Sequence, residues 1–239
     1  QNTIALSPSL SLTATARVDE HTEYGTQVAP RLSVLARLGP VWTLRVSGGG
    51  GYFAPSPFTE ETEVTGLAPL DPLVNVREER ARSGSVDLGG SVGVVEVNAT
   101  VFGSVVDVPV ALRVASGGGG RVELVNAGEP TRTAGGELLA RWNPEPFHVT
   151  ASYTFVRSTE LDPESGTRRD VPLTPRHQAG IVTMYESEGV ARVGVEVYYT
   201  GTQTLERPKL KAHKAAIRRS RDISGAARAL SQEDCAGDS

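Results

Sequence analysis

The sequence predicts an all-β protein: part of an antiparallel transmembrane β-barrel, about nine strands of a larger one, with a C-terminal tail outside the barrel. Three observations lead there. Apolar and polar residues alternate one by one along most of the chain. The connections between the alternating stretches are short and long in turn, which is how a membrane barrel is strung together. Aromatic residues of the apolar phase gather beside the short connections.

The alternation is clearest from Phe147 to Arg157. Phe147, Val149, Ala151, Tyr153 and Phe155 take the odd positions; His148, Thr150, Ser152, Thr154 and Ser158 take the even ones, broken only by Val156. Side chains of a strand point to opposite faces in turn, so this stretch has one apolar and one polar face. A first strand, about Ser7 to Asp19, carries Leu10, Leu12, Ala14, Ala16 and Val18 on one phase. A polar loop is predicted from Glu20 to Ala29. Leu32, Val34, Ala36 and Leu38 mark the second strand, which Gly39-Pro40 ends because proline cannot donate in a ladder. Trp42, Leu44 and Val46 face one way on the third strand, and Gly48 to Gly51 are predicted to open a long loop to about Ser83.

Val86, Leu88, Val92 and Val94 sit on even numbers, then Val95, Val97, Ala99 and Val101 on odd. A phase flip at Gly93-Val94 predicts a tight hairpin or a bulge. The next strand runs from Val95 towards Val114 with an irregularity at Pro109. Gly117 to Gly120 form a loop, and a strand from Val122 to Trp142 is interrupted near Gly128-Glu129-Pro130. Asn143 to Pro146 make a short turn, and a long polar loop spans Ser158 to Thr174. A strand then runs to Glu186, Ser187-Glu188-Gly189 turn, and Val193, Val195, Val197 and Tyr199 close the series. Trp42, Trp142, Phe147 and Tyr185 lie on the apolar phase near short turns, where a barrel carries its aromatic girdle at the lipid headgroups.

Composition narrows the function classes. The net charge of −4 argues against nucleic acid as partner. No apolar run approaches the ~20 residues of a membrane helix. The first residues show no basic start and no apolar signal segment, so a leader was removed or the chain begins within a longer protein. The barrel region is taken as 1–207 and the tail as 208–239. Lys209, Lys211 and Lys214, the only lysines, open that tail, which has no period-two pattern, is predicted to be disordered or weakly helical, and reads as the product of a shifted reading frame rather than native barrel sequence.

Constellations of chemical interest are few. Neither glycine run is followed by the Lys-Ser/Thr pair of a phosphate loop, so flexibility or close backbone approach is the better reading. His21, His148, His177 and His213 share no metal-ligand spacing, and the single Cys235 allows no disulfide within the chain. Asn98-Ala99-Thr100 lies inside a strand and reads as a chance glycosylation match. No catalytic residue, metal or cofactor is assigned.

Several segments resemble TonB-dependent outer-membrane receptors. They are Trp42 to Ser47 with the following glycines, Tyr52-Phe53-Ala54-Pro55-Ser56, His21 to Gly25 before Pro30-Arg31-Leu32-Ser33, Asn126 to Glu129, Ala151 to Phe155, Val171 to His177, and Glu196 to Gly201. The resemblance covers Ser7 to Arg207. It departs at Phe53, where family members often carry arginine before the Ala-Pro pair. The resemblance implies a 22-stranded barrel around an N-terminal plug, importing iron-siderophore complexes, cobalamin or a similar scarce nutrient with energy from the TonB complex. It implies that this chain is the middle to late barrel, lacking the plug, the segment that binds TonB, the early and final strands and the terminal aromatic. Its partners would be outer-membrane lipid, the plug and remaining strands, TonB and a small nutrient ligand.

Within that reading Arg45, Glu96, Glu137, Arg141 and Glu196, on the polar phase, are expected to face the lumen or plug. Arg77, Arg80, Arg82, Arg168 and Arg169 lie in charged clusters of the long loops and are the candidate contacts to an anionic or chelated ligand, since arginine's fork suits carboxylate and phosphate. The chain alone is expected to be inactive. A second class stays open: a soluble or surface β-sandwich that binds glycans, because sandwich strands alternate too.

Overall fold

The structure, a computed structural model, describes residues 2–56, 70–115, 121–163, 165–187 and 191–205. The β-strands are β1 (Asn2–Ser7), β2 (Leu10–His21), β3 (Gly25–Leu38), β4 (Trp42–Phe53), β5 (Glu79–Val92), β6 (Val95–Asp107), β7 (Val110–Val114), β8 (Val122–Asn126), β9 (Thr131–Trp142), β10 (Phe147–Leu161), β11 (Arg168–Asp170), β12 (His177–Ser187) and β13 (Ala191–Thr200). Eleven of them form one sheet in the order β1-β2-β3-β4-β5-β6-β9-β10-β12-β13, with the short β11 beside β10. Every pairing in it is antiparallel.

The register turns the one-dimensional alternation into two continuous faces. Leu10, Ala36, Leu44, Leu88, Ala99, Leu138, Tyr153, Ala179 and Tyr199 oppose one another in succession across nine strands. One residue further along, Leu35, Arg45, Asp87, Thr100, Glu137, Thr154, Gln178 and Thr200 form the matching row of the other face. A slip of one residue anywhere would exchange the faces of that strand, so the hydrophobic pattern itself specifies the register.

The apolar face is not covered. Leu138 is 51 % exposed, Val101 67 % and Val195 61 %. Among the described residues no second sheet packs on this face, and the apolar side chains of the eleven-stranded sheet are not buried. That removes the β-sandwich reading, which needs a dry layer between two sheets. Among the described residues the buried aliphatic side chains Val110, Ala115, Val122 and Leu124 belong instead to the β7–β8 hairpin and its continuation at Ala115. Leu70 bridges to Val122 there, and Asp71 N–H donates to the Val122 carbonyl at 2.8 Å. Asn126 fastens the hairpin to the sheet: its side-chain oxygen accepts from Arg77 N–H at 2.8 Å, while its amide donates to the carbonyls of Arg77 and Val108.

The ends of the sheet differ. Gly39 to Val41, Gly93-Val94 and Asn143 to Pro146 connect strands at one end; the long connections after β4, β6 and β10 lie at the other. Gly93 is the first of two loop residues and has φ 60°, as a tight two-residue turn requires. The predicted turn at Ser187 to Gly189 falls partly on 188–190, outside the described residues, as do the second glycine run and the tail.

Several boundaries depart from the sequence expectation. Among the described residues ten strands run in the path of the large sheet, in keeping with the nine or so expected, and the short β7, β8 and β11 are additions the alternation did not separate. Ser7 begins no strand: it ends β1, a strand the alternation did not separate, and β2 starts at Leu10. The polar loop expected over Glu20 to Ala29 is largely paired, with β2 reaching His21 and β3 starting at Gly25. Its side chains lose the alternation because this part of the hairpin lies beyond the apolar band. Gly48 to Gly51 belong to β4, where a Cβ on Gly49 would stand 2.9 Å from the Pro30 carbonyl oxygen. Close backbone approach, not loop flexibility, is what that run provides. The loops expected over 158–174 and up to Ser83 are likewise shortened by β10, β11 and β5.

Aromatic rings cover three glycines across strands: Trp42 over Gly90, Phe102 over Gly135 and Tyr198 over Gly180. At Gly135 an added Cβ would also meet the backbone carbonyl oxygen of Phe155. Backbone cannot swing aside, so Gly135→Ala is expected to destabilise by about 1–3 kcal/mol. Urea unfolding of the complete receptor in vesicles reads this; an unchanged midpoint would contradict the ring-over-glycine packing.

Candidate functional site: two faces and a rim of arginines

The polar face collects the residues expected in the lumen. Arg45, Asp87 and Glu137 share the transverse row described above, and Glu96, Arg141, Thr150, Val182 and Glu196 share another nearer the short turns. All five sequence candidates are exposed on this face. Arg141 Nη1 stands 4.0 Å from Glu96 Oε2, a loose pair. The Tyr198 hydroxyl donates to Glu196 at 3.0 Å. Asp87, which sequence reasoning passed over, accepts from Ser85 at 3.2 Å and Thr100 at 2.9 Å. Its signal was present: it is the polar-phase residue between Val86 and Leu88.

The five arginines expected on the long loops do not converge, and four of them stand in strands, Arg80 and Arg82 on β5 and Arg168 and Arg169 on β11. Arg77 meets Asn126 through its backbone. Arg80 pairs with Glu78 at 2.8 Å and Arg82 with Asp107 at 2.8 Å. Arg169 holds Glu160 at 2.8 Å, and Arg168 donates to the Pro130 carbonyl oxygen at 2.8 Å. Register divides them: Arg80 and Arg82 share the phase of Val86 and Leu88, and Arg168 opposes Leu161, so all three belong to the apolar side of the sheet. Arg169, opposite Glu160, belongs to the polar side.

Glu78 lies just before β5. Its own backbone N–H, then Arg80, then Gln27 hold its carboxyl below the ordinary carboxylate range, and burial opposes them only in part. A depressed carboxylate contributes stability above its unfolded pKa and loses it as pH falls through the folded one. The segment before β5 is therefore expected to resist proteolysis at neutral pH and to loosen only in acid. Glu78→Gln is expected to abolish that pH dependence; a cleavage profile identical to the parent would refute the pairing. Tyr24, in the β2–β3 turn, has its phenol pushed up by burial and then by Glu23 and Glu78, and its hydroxyl donates to the Pro55 carbonyl at 3.4 Å.

The aromatic row of the apolar face stands beside the short turns. Phe147 and Tyr185 are register partners with ring centroids 5.4 Å apart at 60°, and Trp142 opposes Val149 on the next pair of strands. Among the described residues no cluster of His, Cys, Asp and Glu is arranged to hold a metal ion.

Known proteins repeat this design. The siderophore receptor PirA from Pseudomonas aeruginosa superposes with a TM-score of 0.66 at 14% identity, over 83% of this chain and 36% of its own. A ferric enterobactin receptor mutant from Pseudomonas aeruginosa, in complex with enterobactin, gives 0.68 at 17%, over 85% and 32%. The FrpB iron transporter from Neisseria meningitidis gives 0.61 at 15%, over 81% and 31%. The chain thus spans about a third of the length of these solved receptors. At such identities the likeness shows the fold. No curated protein matches. The family described as TonB dependent receptor-like, beta-barrel, matches residues 1–213. This sheet, apolar towards hydrocarbon and polar on its other face, is therefore barrel wall of the Gram-negative outer membrane, and the chain belongs to the TonB-dependent receptor β-barrel family, whose members are transporters rather than enzymes.

Proposed function

We propose that the receptor containing this chain imports a scarce nutrient as a small chelate, an iron-siderophore complex in the first place and cobalamin or a similar cargo otherwise, energised through TonB. The observation that carries the reading is the polar face, where charged residues of both signs lie in transverse rows along the wall of what a closed barrel makes a lumen. Arg45, Glu96, Glu137, Arg141 and Glu196 face the lumen or plug, and Arg77 and Arg169 line the outer approach for an anionic ligand. Arginine's parallel donors fit the carboxylate or phenolate oxygens of a chelate. The cargo of similar structures supports a metal complex without fixing the chelator: enterobactin for one, iron for another and copper for the transporter OprC.

In this reading the plug and the remaining strands complete the barrel, and the chain alone does not transport. The test is growth of a strain lacking the full-length receptor on iron-depleted medium supplied with single ferric siderophores. Loss of growth on one siderophore, restored by the receptor, supports the reading. Unimpaired growth on all of them, with cobalamin uptake intact, would overturn it.

A further inference from the structure

Arginine interrupts the apolar face of three strands at one height. Arg82 on β5, Arg132 on β9 and Arg157 on β10 each stand about ten positions from the short-turn end of their strand, at Val92, Trp142 and Phe147, which is close to the nine to eleven residues a tilted strand needs to cross hydrocarbon. The aromatic row marks one boundary of the membrane, and these arginines mark the other. Arg82, Val105, Arg132 and Thr159 form one transverse row, with Arg157 a step nearer the membrane beside Ala134. Arg168 on β11 joins them, 3.5 Å from the Thr159 hydroxyl.

The four arginines border a shallow recess of about 560 Å³, floored by Gly84, Gly103 and Ala134. Arg82 is paired with Asp107 at 2.8 Å, and Arg168 stands 3.8 Å from Glu129. Arg132 and Arg157 are exposed and have no anionic partner among the described residues. Uncompensated positive charge above a smooth apolar floor has a direct complement: an anionic head joined to a hydrocarbon chain. Arginine is costly in mid-membrane and tolerated at its boundary, so the height is in keeping with a headgroup contact. The recess also lies on the opposite face from the lumen, so it does not belong to the import path.

We propose that this recess binds a phosphate-bearing lipid of the outer leaflet. The forks of Arg132 and Arg157 take the head phosphate, and an acyl chain lies over Gly84, Gly103 and Ala134. The proposal rests on the apolar face meeting lipid with the long connections outside.

The complete receptor, purified in neutral detergent, is titrated with diphosphoryl lipid A, with the same lipid stripped of phosphate, and with inorganic phosphate, and bound lipid is counted by native mass spectrometry. Diphosphoryl lipid A is expected to bind at least about tenfold more tightly than the stripped lipid, through charge-assisted pairs. The Arg132→Gln/Arg157→Gln double variant is expected to lose that preference, Arg157→Gln alone to lose part of it, and Arg17→Gln, on the other face, to keep it. Equal binding of both lipids, or a preference unchanged in the double variant, overturns the proposal. Displacement of the lipid by inorganic phosphate at comparable concentration would make the site one for free phosphate and overturn the lipid assignment. Heat-modifiable migration on gels confirms that each variant retains its barrel. A parent receptor that fails that check, or labels on the apolar face from water, would indict the membrane reading instead.

Discussion

Val101→Arg is expected to destabilise the membrane-inserted receptor by about 2–4 kcal/mol, with Leu138→Arg similar. Both positions lie on the uncovered apolar face, about midway between the aromatic row and the arginine rim. A guanidinium there has no water and no opposite charge within the face, and it can reach the boundary only by straining along the sheet. Thr154→Arg, at the same height on the polar face and opposite Glu137, is expected to cost under about 1 kcal/mol. Urea titration of the complete receptor folded into lipid vesicles measures all three. The contrast between faces is the content of the prediction: equal costs would mean that the apolar face is not the one in hydrocarbon.

The chain by itself, offered to the same vesicles, is expected to remain open to trypsin and to form oligomers rather than a heat-modifiable monomer. β1 and β13 lie at opposite edges of the sheet and do not pair with each other. Each edge presents a row of backbone donors and acceptors, and in hydrocarbon every unsatisfied group costs on the order of several kcal/mol. A few such groups outweigh the whole net stability of an ordinary domain, roughly 5–15 kcal/mol. Joined to strands that close the ring, the same residues are expected to become protease-resistant. A resistant monomer of the isolated chain would show that the edges find partners within it.

Alternation made the wall legible where one face meets hydrocarbon. β9, β10, β12 and β13 keep the pattern because every second side chain answers to the same solvent. The phase flip at Gly93 located a two-residue turn for the same reason. Legibility failed where that solvent ends. The upper parts of β2 and β3 are strands by hydrogen bonding, yet both their faces are polar enough to read as loop. β1 was hidden because Ser7-Pro8-Ser9 continues the polar-apolar rhythm through a turn.

The site was legible by phase and not by proximity. Phase alone put Arg45, Glu96, Glu137, Arg141 and Glu196 on one face; which of them share a row depends on the stagger of seven strands, which no local pattern encodes. The arginine rim was visible in principle. Arg132 continues the series Trp142, Ala140, Leu138, Gly136, Ala134, and Arg157 continues Phe147 to Phe155, so each is a charge on the apolar phase. What the sequence cannot show is that Arg82, more than forty positions away, stands in the same row.

The β7–β8 hairpin has a consequence of its own. Val110, Ala115, Val122 and Leu124 give it a dry centre independent of the bilayer, whereas the wall beneath depends on the bilayer as its other half. Such a module tolerates change in its own sequence without altering the register of the strands that carry it.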